Sequence, residues 1–218
     1  MLSGLTRIVM KHLNLGFFAS HGGSNMQAII DACKKGHLNA TPCVVISNNS
    51  DSMALERAKK EGIPAFHFST KTHSNPGELD SIILKTLQKY DVNIIILAGY
   101  MRMLGKPIQD YYRNRILNIH PALLPKFGGK GMYGQFVHEA VIAAGEKKSG
   151  VTVHLVSEKY DEGPIISQRD VPVFENDTPQ SLAQRVLVQE HKFFSETLQK
   201  ISTGEIDLDN LASRSFDK

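Results

Sequence analysis

Three short segments carry residue types that chemistry needs. Ser20-His21-Gly22-Gly23-Ser24-Asn25 follows a short apolar run, Leu13–Ala19. It precedes Met26, Ile29, Ile30 and Cys33, which are spaced as one face of a helix. The glycine pair lets backbone N–H groups approach a ligand, and a helix start adds unpaired donors at the positive end of its dipole. The segment suits a phosphate group. It is neither GxGxxG nor a Walker A loop, which argues against a dinucleotide or triphosphate. A tight turn capped by Ser24 or Asn25 is the plainer alternative.

Asn118-Ile119-His120-Pro121 closes a predicted strand. Residues two apart in a strand face the same way, so Asn118 and His120 project together while Ile119 turns to the core. A carboxamide donor beside an imidazole can polarise a carbonyl and move a proton. Two polar residues at a solvent-facing strand end are the alternative. Asp161 lies in Tyr160-Asp161-Glu162-Gly163-Pro164. Near His120 it is expected to hold the imidazolium form and raise the ring's pKa; by itself it reads as a turn residue. Glu190 interrupts the apolar helical stripe Leu182, Val186, Phe193 and Thr197, as a rim residue or as one that serves a ligand. His154 alternates with core residues Val153 and Leu155 and reads as structural or as a neighbour of the site. Gly129–Gly134 reads as a mobile flap. No HxH, HExxH or carboxylate cluster suggests a metal, and Cys33 and Cys43 form no CxxC.

The elements that must position these residues alternate strand and helix. Strands are expected at Leu13–Ala19, Thr41–Ser47, Ala65–Phe68, Asn93–Ala98 and Arg115–Ile119. Helices fall between them, at Met53–Glu61, Leu79–Tyr90 and Pro107–Tyr112. The continuous apolar run at Asn93–Ala98 suits a parallel strand covered on both faces. After a helix at Val137–Ala144 the rhythm changes. Val151–Val156 and Ile165–Val173 are close enough to form a hairpin, and Thr178–Ile201 is the last helix, capped by Thr178 or Asp177. The fold class is α/β: a Rossmann-like open twisted sheet, parallel in its N-terminal part and mixed near the C-terminus, with helices on both faces. Such sheets bind ligands beyond the carboxyl ends of their strands. Residues 13–204 read as one domain, 1–12 as an N-terminal extension and 205–218 as a frayed polar tail.

Composition narrows the class. Of 218 residues, 41% are hydrophobic and 22% charged, enough for a core and too few charges for a disordered chain. A net charge of +3 is far from that of an electrostatic nucleic-acid binder. No apolar stretch reaches the ~18 residues of a membrane span, and no signal peptide is evident. Two cysteines and no disulfide framework suit the reducing cytoplasm.

Together the strings GGSNMQAIIDAC, VVISNN, ILAGYMRML, LNIHPALLPKF, VTVHLV, YDEGPII and VQEH resemble the folate-dependent glycinamide ribonucleotide formyltransferases, from about Leu13 to Thr203. The resemblance implies transfer of the formyl group of 10-formyltetrahydrofolate, a co-substrate, to the amine of 5'-phosphoribosylglycinamide in purine biosynthesis, without a metal. It implies Asn118, His120 and Asp161 as the catalytic residues. Gly23, Ser24 and Asn25 match the phosphate segment, and Leu187, Val188, Gln189 and Glu190 the ribonucleotide-contacting stretch. Met101, Arg102, Met103, Leu104, Asn118, Ser157, Glu158, Lys159, Tyr160 and Asp161 match the folate pocket. The chain departs from the family pattern in two places. KTHSNPGE lacks an arginine often found there, and GGKGMYGQFVHEAV replaces a PGL followed by two histidines, with His138 covering part of that role. Implied partners are small molecules only, with no nucleic acid or membrane, acting on a monomer or homodimer. The alternatives are a formyltetrahydrofolate hydrolase or another formyltransferase of the same fold. No extra regulatory domain is expected before Leu13, nor an RNA-binding domain after Gly204. A non-catalytic nucleotide-binding module would need only residues 20–25.

Overall fold

The computed structural model describes residues 12–214. Its first half runs β1 (Leu13–Phe18), α1 (Ser24–Lys34), β2 (Ala40–Ser47), α2 (Met53–Lys60), β3 (Ala65–His67), α3 (Pro76–Lys89) and β4 (Ile94–Leu97). The second half runs α4 (Lys106–Tyr111), β5 (Ile116–His120), α5 (Gln135–Ala143), β6 (Lys148–Leu155), β7 (Ile165–Pro172), α6 (Pro179–Ser202) and α7 (Leu208–Arg214). One sheet takes the order β3-β2-β1-β4-β5-β6-β7. The first five strands in that order are parallel, β6 is antiparallel to β5, and β7 is antiparallel to β6. This is the expected open sheet with its late change of direction.

Helices cover both faces. One core cluster packs Phe17, Val45 and Ile96 against Met26, Ile29, Phe194 and Leu198; the other packs Phe18, Ile46 and Ile95 against Leu87 and Ile108. All four residues of β4 are buried, which is why its sequence does not alternate. Polar caps set the helix starts. Ser52 accepts from Leu55 N–H ahead of α2, and Thr178 and Ser181 cap α6 reciprocally. Strand order reverses between β1 and β4, so the crevice for a ligand opens beyond their carboxyl ends.

One expectation is corrected. The stretch after Gly204 is not a frayed tail as far as Arg214, because it forms α7. Leu208 and Ala212, one helical turn apart, are buried in the first core cluster. Arg115 holds Asp209 through two hydrogen bonds of 2.7 Å. Leu208, Leu211 and Ala212 stand at i, i+3 and i+4, but one such set in a seven-residue helix is too short for a periodic signal. Of the expected N-terminal extension, 1–12, residues 1–11 lie outside the described residues. His12 is described, and its ring bonds the side chains of Asn39 and Thr41.

Candidate active site

A cavity of about 1060 Å³ opens at the carboxyl ends of β1, β4 and β5, and Asn118, His120 and Asp161 all line it. Asn118 and His120 share a face of β5, as period two requires. Antiparallel pairing sets His154 directly opposite Asn118 and Thr152 opposite His120. Asn118 Nδ2 lies 3.1 Å from His154 Nε2, whose other ring nitrogen donates to the Leu155 carbonyl at 2.9 Å. With that nitrogen donating, Nε2 can accept, and it fixes the Asn118 carboxamide with the NH2 group toward the ring. Past His120 the chain is pinned by Thr152. Its Oγ1 donates to the Ala122 carbonyl at 2.6 Å and accepts from Leu124 N–H at 3.1 Å.

Asp161 comes from the turn between β6 and β7. One carboxylate oxygen lies 3.5 Å from His120 Nδ1 and the other 3.5 Å from His154 Nε2. Asp161 holds a left-handed φ of 58°, a conformation aspartate tolerates better than most residues. Gly129 N–H donates to its Oδ2 at 2.9 Å. Gly128 permits this approach, since a Cβ there would sit 2.4 Å from Leu124 Cδ2 and 3.2 Å from Asp161 Cβ.

The electrostatics differ from the expectation in one respect. Asp161 does raise the pKa of His120, but burial lowers it by more, so the net shift is downward. The ring is only 3% exposed. Its Nε2–H donates to the Phe127 carbonyl at 2.7 Å, which leaves Nδ1, facing Asp161, to take a proton. For Asp161, burial raises the pKa, but His154, His120 and the Gly129 N–H outweigh it and leave the carboxyl low. His138, buried on α5, is also pushed down by burial and by His120, and its Nδ1 has no partner. The resting site thus pairs an ionised carboxylate with a neutral imidazole.

The cavity's other end reaches the start of α1. Gly23 precedes that helix in a left-handed conformation, φ 65° and ψ 30°, and no side chain caps it. The first N–H groups of α1 are left open, whereas the alternative of a turn capped by Ser24 or Asn25 would have occupied them. Asn25 Nδ2 donates to Glu190 Oε2 at 3.0 Å. Glu190 is 8% exposed, and burial pushes its carboxyl up to about 7.

The model of the formyl transferase family matches residues 13–198. The chain belongs to the formyl transferase family. It is 43% identical over 193 residues to a phosphoribosylglycinamide formyltransferase of Arabidopsis thaliana, covering 88% of this chain and 66% of that protein. It is 40% identical to one from Haemophilus influenzae, covering 87% and 88%. A crystal structure of glycinamide ribonucleotide transformylase 1 from Symbiobacterium toebii superposes with a TM-score of 0.82 at 38% identity, covering 88% of this chain and 89% of that one. The chain spans 64% and 66% of the length of the curated plant relatives it matches.

Most of the residues that the family resemblance singles out meet in this one cavity. Asn25, Leu187 and Glu190 line it, as do Met101, Arg102, Met103, Leu104, Ser157, Lys159 and Tyr160. Five do not. Val188 and Gln189 follow Leu187 by one and two helical positions, about 100° and 200° round α6, and are turned away. Glu158 is exposed and pairs with Lys106 Nζ at 3.0 Å. Gly23 and Ser24 belong to the turn, where they offer main-chain donors, not to the cavity wall. His21, within the first candidate segment, is exposed between this cavity and a second one of about 880 Å³. Gln180 and Ala183, which carried no signal in the sequence, face inward from α6.

Proposed function

We propose that the chain transfers the formyl group of 10-formyltetrahydrofolate to the amine of 5'-phosphoribosylglycinamide, giving formylglycinamide ribonucleotide and tetrahydrofolate. The observation that carries this reading is the meeting of Asn118, His120 and Asp161 in one cavity that joins Met101–Leu104 to Asn25 and Glu190. A folate ring fits against Met101–Leu104 and the Ser157–Asp161 turn. The ribonucleotide fits between the start of α1 and Glu190. The catalytic side chains lie between the two, where a one-carbon unit would change hands.

The amine attacks the formyl carbon, and negative charge grows on the formyl oxygen. The Asn118 carboxamide, held by His154, keeps one N–H free to stabilise that oxygen. His120 starts neutral, so it can accept the proton that the attacking nitrogen must shed, at Nδ1 beside Asp161. The imidazolium so formed is stabilised by the carboxylate and returns the proton to the departing folate nitrogen. Binding the phosphate at the α1 turn holds the amine in place and offsets the entropy of bringing two substrates together.

In this reading residues 13–204, together with α7, act as one unit on small molecules, as a monomer or homodimer in the cytoplasm. The chemistry draws on side-chain donors, with no metal ion assigned. Among the described residues, no helix is long and apolar enough to cross a membrane. The test follows loss of 10-formyltetrahydrofolate with and without phosphoribosylglycinamide. Loss that depends on the amine supports the reading. Loss without it means hydrolysis, and no loss under either condition refutes formyl transfer.

A further inference from the structure

The turn leading into α1 is gripped from behind by α2. Ala54 N–H donates to the His21 carbonyl at 3.1 Å, and Arg57 Nε–H donates to the Gly22 carbonyl at 3.0 Å. Across a trans peptide the C=O and the following N–H point in opposite directions. The first bond therefore fixes where the Gly22 N–H points, and the second fixes the Gly23 N–H, both away from α2. Neither amide donates to a protein group among the described residues. Gly23 is left-handed and the helix after it right-handed, an alternation that gathers successive N–H groups into an anion-binding nest. There is no slack behind the turn, since a Cβ on Gly23 would lie 2.8 Å from Ala54 Cβ. On the α6 side, Leu187, Val188 and Gln189 are uncharged, and burial and the nearby Arg57 guanidinium push the His191 pKa down.

We infer that Arg57 is a positioning residue of the reaction: its bond to the Gly22 carbonyl aims the Gly23 N–H at the phosphate of the ribonucleotide substrate. The inference rests on the formyl-transfer reading for the identity of the substrate, and on the geometry of the turn for everything else. Arg57 acts through the backbone. Losing it costs affinity for the phosphate-bearing substrate and spares the chemical step.

Arg57→Met and Arg57→Lys are compared with the parent enzyme in steady-state kinetics, in thermal melts, and in calorimetric titration with inorganic phosphate. Both variants are expected to raise the KM for the ribonucleotide about tenfold, the scale of one charge-assisted hydrogen bond. Phosphate binding should weaken in step. The kcat, the KM for the folate and the Tm should stay close to the parent values. Three results would overturn the inference. One is an unchanged ribonucleotide KM and phosphate affinity in Arg57→Met. Another is full retention of both in Arg57→Lys, which would mean that charge alone matters. The third is a lower kcat together with a raised folate KM that tracks a lower Tm or loss of fold. A parent enzyme without amine-dependent turnover would count against formyl transfer, while phosphate titration of parent and variants would still decide the role of Arg57.

Discussion

Replacing Glu190 with Gln should stabilise the unliganded protein at pH 8 and change it little near pH 5. The carboxyl is 8% exposed and receives one hydrogen bond, from Asn25 Nδ2 at 3.0 Å. Burial carries its pKa from 4.5 to about 7, with the Asn25 bond opposing. Between those values the folded protein binds the proton and the unfolded chain does not. The stabilising contribution is therefore complete below about 4.5 and is lost as pH climbs to about 7. At roughly 1.4 kcal/mol per unit, the loss is about 3 kcal/mol. A neutral Gln carries no such cost. Its amide could also serve Asn25 Oδ1, which is buried without a donor. Urea unfolding from pH 5 to 8 checks this. The variant's advantage should open with pH to about 3 kcal/mol, a Tm gain of roughly 6–12 °C at this chain length. The same change should raise the ribonucleotide KM, because a ligand loses a charged acceptor. A stability difference that stays constant with pH, or a variant less stable at pH 8, would refute the reasoning.

Other predictions concern the proton path and the frame. Because the His120 pKa is lowered, kcat/KM should fall on the acid side only below the ordinary histidine range. Asp161→Asn removes the influence that raises that pKa, so the acid limb should move to still lower pH, with turnover down about 10²–10⁴-fold in a pH–rate series. Asn118→Ala should cut kcat by about 10²–10³-fold with phosphate binding intact by calorimetry. Gly23→Ala forces a side chain into a left-handed position against Ala54, and denaturation should show a loss of about 1–3 kcal/mol with a higher ribonucleotide KM. Leu208→Ala should cost about 2–3 kcal/mol by denaturation if α7 belongs to the core.

What the sequence made legible is what depends on local period and chemistry. The alternation around Asn118-Ile119-His120 predicts two polar groups on one strand face, and period-two geometry delivers them. The unbroken apolar run in β4 predicts a buried parallel strand for the same reason. What the sequence leaves open depends on contacts between distant segments. That His154 stands opposite Asn118 is a matter of strand register, and no residue of β6 announces its partner on β5. That Val188 and Gln189 turn from the cavity while Leu187 enters it depends on the rotation of α6, which its neighbours set. The pKa direction of His120 was misread because a carboxylate partner can be guessed from a motif, whereas depth of burial cannot.

That last difference changes how the site works. A histidine held protonated at rest would offer the formyl oxygen a charged donor but could not take a proton from the attacking amine. Burial makes the opposite arrangement: His120 neutral, Asp161 ionised at 3.5 Å from Nδ1, and Nε2 already committed to the Phe127 carbonyl. The pair holds one negative charge before reaction and none once Nδ1 is protonated. In the proposed reaction Asp161 therefore offsets part of the cost of charging His120, at the stage where the oxyanion also needs a cation nearby. Desolvation keeps the imidazole neutral and able to accept a proton at rest, and the Asp161 carboxylate offsets part of the cost of charging the ring. The antiparallel turn of the sheet makes this possible, since it supplies both His154, which orients Asn118, and the β6–β7 turn that carries Asp161 back to β5.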